Sequence, residues 1–242
     1  MRTASSRIPA RGGAAPDGRR LRADGVRSRN AILTAAAELA SVDGLDGLSI
    51  GRLAEHVGMS KSGLFAHFKS KEDLQVATID AAHAIFMREV WEPGLQAPAG
   101  LTRVLSTVDA FFSHLERGVF PGGCFFVAAA AELDAKQGPV RDHLRAVYGS
   151  LVEGLAGVIQ EAQDLGEIAP EQDIAQLTFE LDAFLLGANY AYLFFGDAGG
   201  IDRARQAIRQ LLARAAPSSR ARRPASKRST RQRPEPTRTR RR

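Results

Sequence analysis

The stretch 48–74, LSIGRLAEHVGMSKSGLFAHFKSKEDL, constrains the fold more than any other part of the chain. Apolar residues recur at three- and four-residue spacing in its first part, which predicts an amphipathic helix capped by Ser49. Gly58 then supplies a sharp turn, and Ser60 caps a second short helix with a small-residue polar face. This geometry fits a DNA-binding helix-turn-helix, whose second helix enters the major groove, and an ordinary packing corner about equally well.

A dense motif surrounds these two helices and favours the first alternative. It comprises Arg29-x-x-Ile32-Leu33, Ala36, Gly44, Gly47, Ser49-Ile50, Leu53-Ala54, Gly58-Met59-Ser60, Leu64-Phe65-x-His67-Phe68 and Ser70-Lys71-x-x-Leu74. The run 29–74 resembles the DNA-binding domain of the TetR family of bacterial transcription regulators. The resemblance implies a homodimer that reads two half-sites of a double-stranded DNA operator about one helical turn apart. It also implies an all-α regulatory domain with a cavity for a small-molecule effector, and repression as the commoner mode of action.

The resemblance also assigns roles to individual residues. Ser49 and Lys71 would contact phosphates at helix N-termini. Lys61 and Ser62 would lie at or near base edges, and His67 would approach the backbone or a base. The candidate DNA-binding residues are Ser49, Ser60, Lys61, Ser62, Phe65, His67 and Lys71.

Three positions depart from the usual pattern of the family. Gly63 replaces a residue that often bears a contacting hydroxyl, and Ala66 is small where a larger side chain is common. Phe65 stands where tyrosine is usual, so a hydroxyl-to-phosphate bond is missing. Phe65 either packs on a thymine methyl or only fills the helix bundle.

Helical periodicity continues along the rest of the chain, and no segment alternates with the period of two that a strand needs. Pro93 is expected to end the long helix at Trp91. The predicted fold is all-α, with a three-helix DNA-binding domain over 25–72 and a helical ligand-binding and dimerisation domain over 73–216. The predicted helices cover 26–41, 49–57, 60–68, 70–91, 99–118, 124–135, 139–165, 173–195 and 202–215.

The net charge of +6 is unevenly distributed. Residues 1–30 hold eight arginines against two aspartates, and residues 220–242 hold eleven basic residues against Glu235 alone. We expect disordered basic arms over 1–24 and 217–242, which either contact DNA phosphates or act as solvated tails. The candidate contacts in the first arm are Arg19, Arg20 and Arg22.

Aromatic side chains recur on the helices of the predicted regulatory domain. They are candidates for the wall of a pocket for an apolar or aromatic ligand, although aromatics at helical spacing are more typical of a plain core. The candidate pocket residues are Phe86, Phe111, Phe112, His114, Phe125, Phe184 and Asn189. Further members of the same group are Phe126, Tyr190 and Phe194, with His83 as another polar candidate.

The last two helices present apolar residues that predict a dimer interface. Paired with a second copy, they would form a four-helix bundle, and the alternative is burial against their own domain. The candidate interface residues are Leu181, Leu185, Ala188, Ile208, Leu211 and Leu212.

Other classes of protein receive little support from the sequence. No nucleophile elbow, phosphate-binding loop or dinucleotide fingerprint occurs, so we expect no enzyme and no cofactor. The five histidines lack the spacing of metal ligands. A single cysteine, Cys124, allows no intrachain disulfide and predicts the cytoplasm, and its apolar neighbours favour a buried thiol over a redox sensor. No apolar run is long enough to cross a bilayer. An architectural protein that coats DNA without sequence preference is the remaining alternative.

Overall fold

The computed structural model describes residues 18–217, with the surroundings of side chains from residue 28 onward. Every regular element in this range is helical, as predicted. The N-terminal helices are α1 (Gly18–Gly47), α2 (Ile50–His56), α3 (Lys61–Phe65) and α4 (Lys71–Phe86), and a π-helical turn (Met87–Trp91) and α5 (Glu92–Leu95) continue α4. The remaining helices are α6 (Leu101–Glu116), α7 (Phe125–Leu133), α8 (Pro139–Asp164), α9 (Ile174–Leu193) and α10 (Gly199–Ala215). Between residues 18 and 217, none of these helices combines the length and apolar character that a bilayer span requires.

A small hydrophobic core holds α1 to α4 together. It buries the apolar faces of the two short helices against the two long ones. Its members are Ile32, Ala36, Leu48, Leu53, Ala54, Leu64, Phe68, Leu74 and Ala77. Because α1 and α4 extend well beyond α2 and α3, they form the frame that fixes the orientation of the short pair.

A larger core joins α4 and α6 to α10. Four fully buried phenylalanines form much of its centre, namely Phe112, Phe120, Phe125 and Phe126. Helix α1 contributes Ala37 and Ala40 to this core, and α4 contributes Ile79 and Ala82. The two cores therefore share α1 and α4, so a displacement of either helix affects both.

The long helix differs from the prediction at its C-terminal end. It was expected to stop at Trp91, yet the helical path continues through Pro93 to Leu95. The amide of Glu92 donates to the carbonyl of Met87, which is the wider spacing of a π-helical turn. The wider turn relieves the clash between a proline ring and the preceding turn, so Pro93 is tolerated at the start of α5.

Helix α1 begins at Gly18 rather than at residue 26, so residues 18–24 are helical and not a disordered arm. This segment holds three arginines, one Leu and one Ala, which have high intrinsic helix propensity, although it lacks the apolar periodicity on which the prediction rested. The rest of the predicted arm, 1–17, and residues 218–242 of the predicted tail lie outside the described residues. The side chains of Arg19, Arg20 and Arg22 lie outside them as well.

The residues predicted for the dimer interface do not form a free surface. Five of them are buried in the core of their own chain, namely Leu181, Ala188, Ile208, Leu211 and Leu212. The sixth, Leu185, is half-buried against the same core. This corrects the predicted interface: α9 is apolar on more than one side, and apolar spacing alone does not show which side turns inward.

Candidate nucleic-acid interface and ligand cavity

Serine hydroxyls fix the start of each helix in the helix-turn-helix. Ser49 Oγ accepts a hydrogen bond from Arg52 N at 3.2 Å, and Ser60 Oγ accepts one from Gly63 N at 3.1 Å. Ser70 caps α4 in the same way. Each bond satisfies a backbone amide that a helix N-terminus leaves without a partner, and the caps predicted at Ser49 and Ser60 are confirmed.

The turn between α2 and α3 depends on Gly58. Its φ of 66° lies in the left-handed region, which costs a residue with a Cβ about 1 kcal/mol or more. Met59 N closes the turn by donating to Ala54 O at 2.9 Å. A Cβ at position 58 would meet no atom within 4 Å, so the backbone conformation alone demands glycine here.

The outer face of α3 is exposed, as predicted for a reading helix. Lys61 and Ser62 are exposed, and Phe65 leaves 57% of its surface open. Leu64 and Phe68 point the other way and are buried. Phe65 therefore does not fill the helix bundle, which removes one of the two roles that the sequence left open.

Arg29 of α1 holds the end of α3 in place, a role that was not predicted from the sequence. Helix α3 ends at Phe65, which is earlier than the predicted 68, and the half-buried His67 lies in the turn that follows. Arg29 Nη1 donates to His67 O at 2.7 Å, and its guanidinium carbon lies 4.6 Å from the centre of the Phe68 ring. A planar cation that both donates and stacks suits this position, and lysine would not replace it.

Lys71 has a partner inside the chain. Its Nζ donates to Asp46 O at 2.6 Å, which ties the start of α4 to the end of α1. An ammonium group carries three donors, and the side chain is exposed, so donors remain for a DNA phosphate. The predicted phosphate contact and this structural contact are compatible.

Side chains of α4 and α7 bind the backbone of the segment 44–47, which leads into α2. Glu132 Oε2 accepts from Leu45 N at 2.7 Å, and Glu132 Oε1 accepts from Asp46 N at 2.8 Å. Gln75 Nε2 donates to Leu45 O at 2.8 Å. Because α7 belongs to the regulatory half, these bonds connect that half directly to the helix-turn-helix.

Two further features define this junction. Gly44 has a φ of 78°, which favours glycine, and a Cβ there would lie 2.5 Å from a carboxylate oxygen of Glu132 and would displace that carboxylate. Lys136 Nζ lies 2.5 Å from Asp46 Oδ2 and holds the pKa of the Asp46 carboxyl below its usual range. The sequence showed Gly44 as part of a motif but gave no sign of its partner in α7.

A cavity of about 60 Å³ lies between the long helix and α6 to α9. Its aromatic wall comprises Phe86, Trp91, Phe111, Phe126 and Tyr148, and its other polar residues are Thr107, Cys124 and Asp182. A cavity of this size holds one or two water molecules and is well below the roughly 300–1,000 Å³ of sites for drug-sized ligands. A ligand of ordinary size therefore has to move the walls apart.

The aromatic candidates divide between the cavity and the core. Phe86 and Phe111 line the cavity, and Phe126 does so too. Phe112 and Phe125 are fully buried behind the wall. The remaining candidates do not line it, since His83 and Phe184 are half-buried elsewhere and Tyr190 and Phe194 are exposed.

Two residues predicted to make polar contacts with the ligand, Asn189 and His114, contact other residues of the chain instead. Asn189 Oδ1 accepts from Cys124 N at 3.0 Å, where α7 begins. His114 lies between the rings of Phe86 and Phe120, with centroids at 5.7 and 5.3 Å, and its ring nitrogens have no hydrogen-bond partner among the described residues. Burial lowers the pKa of His114 to about 4, so its imidazole is neutral at neutral pH.

Cys124 touches the cavity but is a buried thiol. Its residue exposure is 4%, and burial raises the pKa of the thiol to about 11. A reactive cysteine needs an exposed, electropositive setting that lowers this pKa. The surroundings of Cys124 are the opposite, and they favour the structural role over the redox sensor.

The outward face of α9 is apolar and exposed. Phe179, Tyr190 and Phe194 leave 69%, 48% and 78% of their surfaces open. Ala183 and Gly187 lie between them on the same face at helical spacing and are exposed as well. From 179 to 194 this face is roughly 22 Å long at 1.5 Å per residue. Contiguous apolar surface of this kind marks an interaction site.

Comparison with protein families covers both halves of the chain. Residues 32–78 match the family described as bacterial regulatory proteins, tetR family, and residues 100–208 match the tetracyclin repressor-like C-terminal domain. The chain belongs to the TetR family. It is thus a DNA-binding transcriptional regulator, and the resemblance seen over 29–74 extends through the regulatory half of this TetR-family protein.

Solved structures of TetR-family regulators share the fold. A regulator from Chloroflexus aurantiacus is 26% identical with a TM-score of 0.73, over 79% of this chain and 96% of that chain. A regulator from Streptomyces coelicolor is 20% identical with a TM-score of 0.68, over 80% and 97%. AibR, solved in complex with isovaleryl coenzyme A and operator DNA, is 22% identical with a TM-score of 0.59, over 74% and 95%. The sequence has no significant match among curated proteins.

Proposed function

We propose that this TetR-family regulator is a dimeric repressor, acting in the cytoplasm, that a small apolar ligand releases from its operator. The supporting observation is that one helical run serves both halves. Helix α4 contributes Leu74 and Ala77 to the core of the DNA-binding bundle. The last residue of α4, Phe86, and Val90 and Trp91 of the π-helical turn that follows line the cavity. A ligand that displaces this wall shifts the frame of the helix-turn-helix.

The small volume of the cavity supports release rather than recruitment. At about 60 Å³ the cavity offers too little room for a ligand of ordinary size, so binding has to push its walls apart. Ligand entry has to separate the π-helical turn from α8 and α9, and packed cores respond to such insertion by discrete shifts. AibR, which was solved with both isovaleryl coenzyme A and operator DNA, shows only that a related fold can bind both classes of partner.

The DNA contacts would come from the exposed face of α3 and from the helix starts on either side of it. Lys61, Ser62 and Phe65 are available to base edges, with Phe65 suited to a thymine methyl. Ser49, Ser60 and Lys71 would position the backbone phosphates, and His67 would approach the same strand.

The dimer would form through the apolar face of α9 rather than through the buried residues first predicted. Phe179, Ala183, Gly187, Tyr190 and Phe194 supply an exposed stripe that a second α9 can cover. Two crossing copies of this helix, each supported by its own α10, give the four-helix arrangement typical of such contacts.

Binding measurements on selected and scrambled DNA test the proposal. An operator would be selected from random duplexes, and Lys61→Ala and His67→Ala should each weaken it by about tenfold while leaving scrambled DNA nearly unchanged. Arg209→Ala on the exposed face of α10 is the matched control, because it removes one cation far from α3. Equal affinity of the unaltered protein for selected and scrambled duplexes would instead identify the architectural alternative.

A further inference from the structure

One ionisable side chain lies in the wall of the otherwise apolar cavity. Asp182 is half-buried on the inner side of α9, beside Leu185 and Leu186, which also line the cavity. No cationic side chain lines the cavity with it. No hydrogen bond or ion pair to the Asp182 carboxylate occurs among the described residues.

Nothing in its immediate surroundings compensates this carboxylate. Burial raises the pKa of Asp182, which means that removal from water disfavours the charged form. Asp182 sits in the middle of α9, where neither end of the helix dipole reaches it. Asp182 is half-buried rather than fully buried, but a carboxylate that faces an apolar cavity without a partner in the described part of the chain is suited to pair with a charged group of a ligand.

The other polar groups of the cavity agree with a ligand that binds through a donor. Burial and, after it, the nearby charge of Asp182 raise the pKa of the Tyr148 phenol. The Tyr148 ring stacks on Phe126 with the ring centroids 5.9 Å apart. Trp91, which is 7% exposed, contributes a further aromatic ring to the lining of the same cavity. Aromatic faces attract cations, and a carboxylate repels anions, so both select the same sign of charge.

We propose that the effector is an apolar molecule with a protonated amine, whose ammonium group pairs with the Asp182 carboxylate while its hydrocarbon part lies among Phe86, Phe111 and Phe126. This assignment rests on the proposed ligand-responsive function and gives it a ligand class. The ammonium supplies the hydrogen-bond donors and the positive charge that no described residue gives to the Asp182 carboxylate. The aromatic side chains then cover the apolar part.

The single tryptophan makes the test direct. Trp91 is the one tryptophan of the chain and lines the cavity, so its fluorescence reports occupancy. The full-length protein would be titrated at neutral pH with phenethylamine and with phenethyl alcohol, which differ chiefly in the charged group. The amine should bind about tenfold more tightly or better, because a hydrogen bond to a charged group contributes that much.

Asp182→Asn should abolish the preference for the amine and leave the alcohol nearly unaffected. Glu153→Gln, which removes an exposed carboxylate on the outer side of α8, is the matched control and should keep the preference. Equal binding of amine and alcohol to the unaltered protein, binding of neither, or a preference that survives Asp182→Asn would each overturn the assignment. The comparison on the unaltered protein holds even where the variant fails to fold.

Operator binding, measured in the same samples, separates this inference from the function on which it rests. Binding of the amine through Asp182 without any loss of operator affinity would leave the ligand class standing and refute ligand-driven release. Sequence-specific operator binding combined with indifference to the amine would leave the regulator standing and refute the ligand class.

Discussion

The ring of His114 is neutral, buried and without a hydrogen-bond partner among the described residues, so it behaves as an aromatic member of the core. Its pKa of about 4 in the folded chain lies below the ordinary value of 6.5. The unfolded chain therefore takes up the proton first as the pH falls. The stabilisation from neutral His114 is complete above pH 6.5 and is lost progressively towards pH 4, by up to about 3 kcal/mol.

We predict that His114→Phe flattens this dependence. The free energy of unfolding in urea should be measured from neutral pH down to pH 4. Over this range it should fall by about 3 kcal/mol less in the variant than in the unaltered protein. At neutral pH the two proteins should be similar, since a phenyl ring replaces a neutral ring of like shape. His56→Gln, at an exposed position, is the control and should follow the unaltered protein. Parallel curves for His114→Phe and the unaltered protein would contradict the prediction.

Cys124 gives a second prediction at this scale. Burial and a pKa of about 11 should make the folded thiol inert to iodoacetamide at pH 8, because alkylation requires an accessible thiolate. Mass spectrometry should show no added mass in the folded protein and one carbamidomethyl group after denaturation in urea. Stoichiometric labelling of the folded chain would show that the site opens, and would reinstate a redox role.

Among the elements, the short helix α7 contacts both the cavity and the segment that leads into α2. Its Glu132 binds two backbone amides of the segment leading into α2, while Phe126 and Val127 on the same helix line the cavity. A short helix thus touches both the ligand site and the approach to the DNA reader. This connection is additional to the one through α4, and it runs through hydrogen bonds rather than apolar packing.

We predict a graded response at Glu132. Removal of both acceptors by Glu132→Ala should lower the free energy of unfolding by about 2 kcal/mol and weaken operator binding by about tenfold. Glu132→Gln keeps one acceptor and should lose about half as much. Asp134→Asn, an exposed acid near the end of the same helix, is the control. Urea unfolding and operator titration give the two readouts, and operator affinity unchanged in all three variants would exclude the connection.

The same elements show what could be predicted from the sequence. Helix α8 was placed to within one residue, because its apolar residues step regularly between Gly138 and Gly166. The π-helical turn was not foreseen, because the rule that proline ends a helix assumes regular spacing of the preceding turn. Asp182 was missed as well, since a cavity between several helices leaves no periodic signal in any one of them. The DNA-reading face was the easiest part, being local in sequence.

For the whole molecule, the apolar face of α9 gives the remaining prediction. Phe179→Glu should convert a dimer, with twice the 26.0 kDa of one chain, into a monomer, because it places a charge within the apolar surface that the second copy would cover. The monomer should fold normally, since Phe179 is 69% exposed within its own chain. It should also lose cooperative binding to paired half-sites. Sedimentation at micromolar concentration measures the mass, with Gln206→Glu on the exposed face of α10 as the control.

At the junction between the two halves, side chains form hydrogen bonds with main-chain atoms. Glu132, Gln75 and Lys71 contact the amides and carbonyls of residues 45 and 46, and these groups are the same whatever side chains stand there. A new operator preference can therefore arise in α3 without disturbing the attachment, provided that Gly44 is kept. Under the proposed mechanism, replacement of α2 and α3 by the helix-turn-helix of another regulator should therefore leave the response to the effector intact.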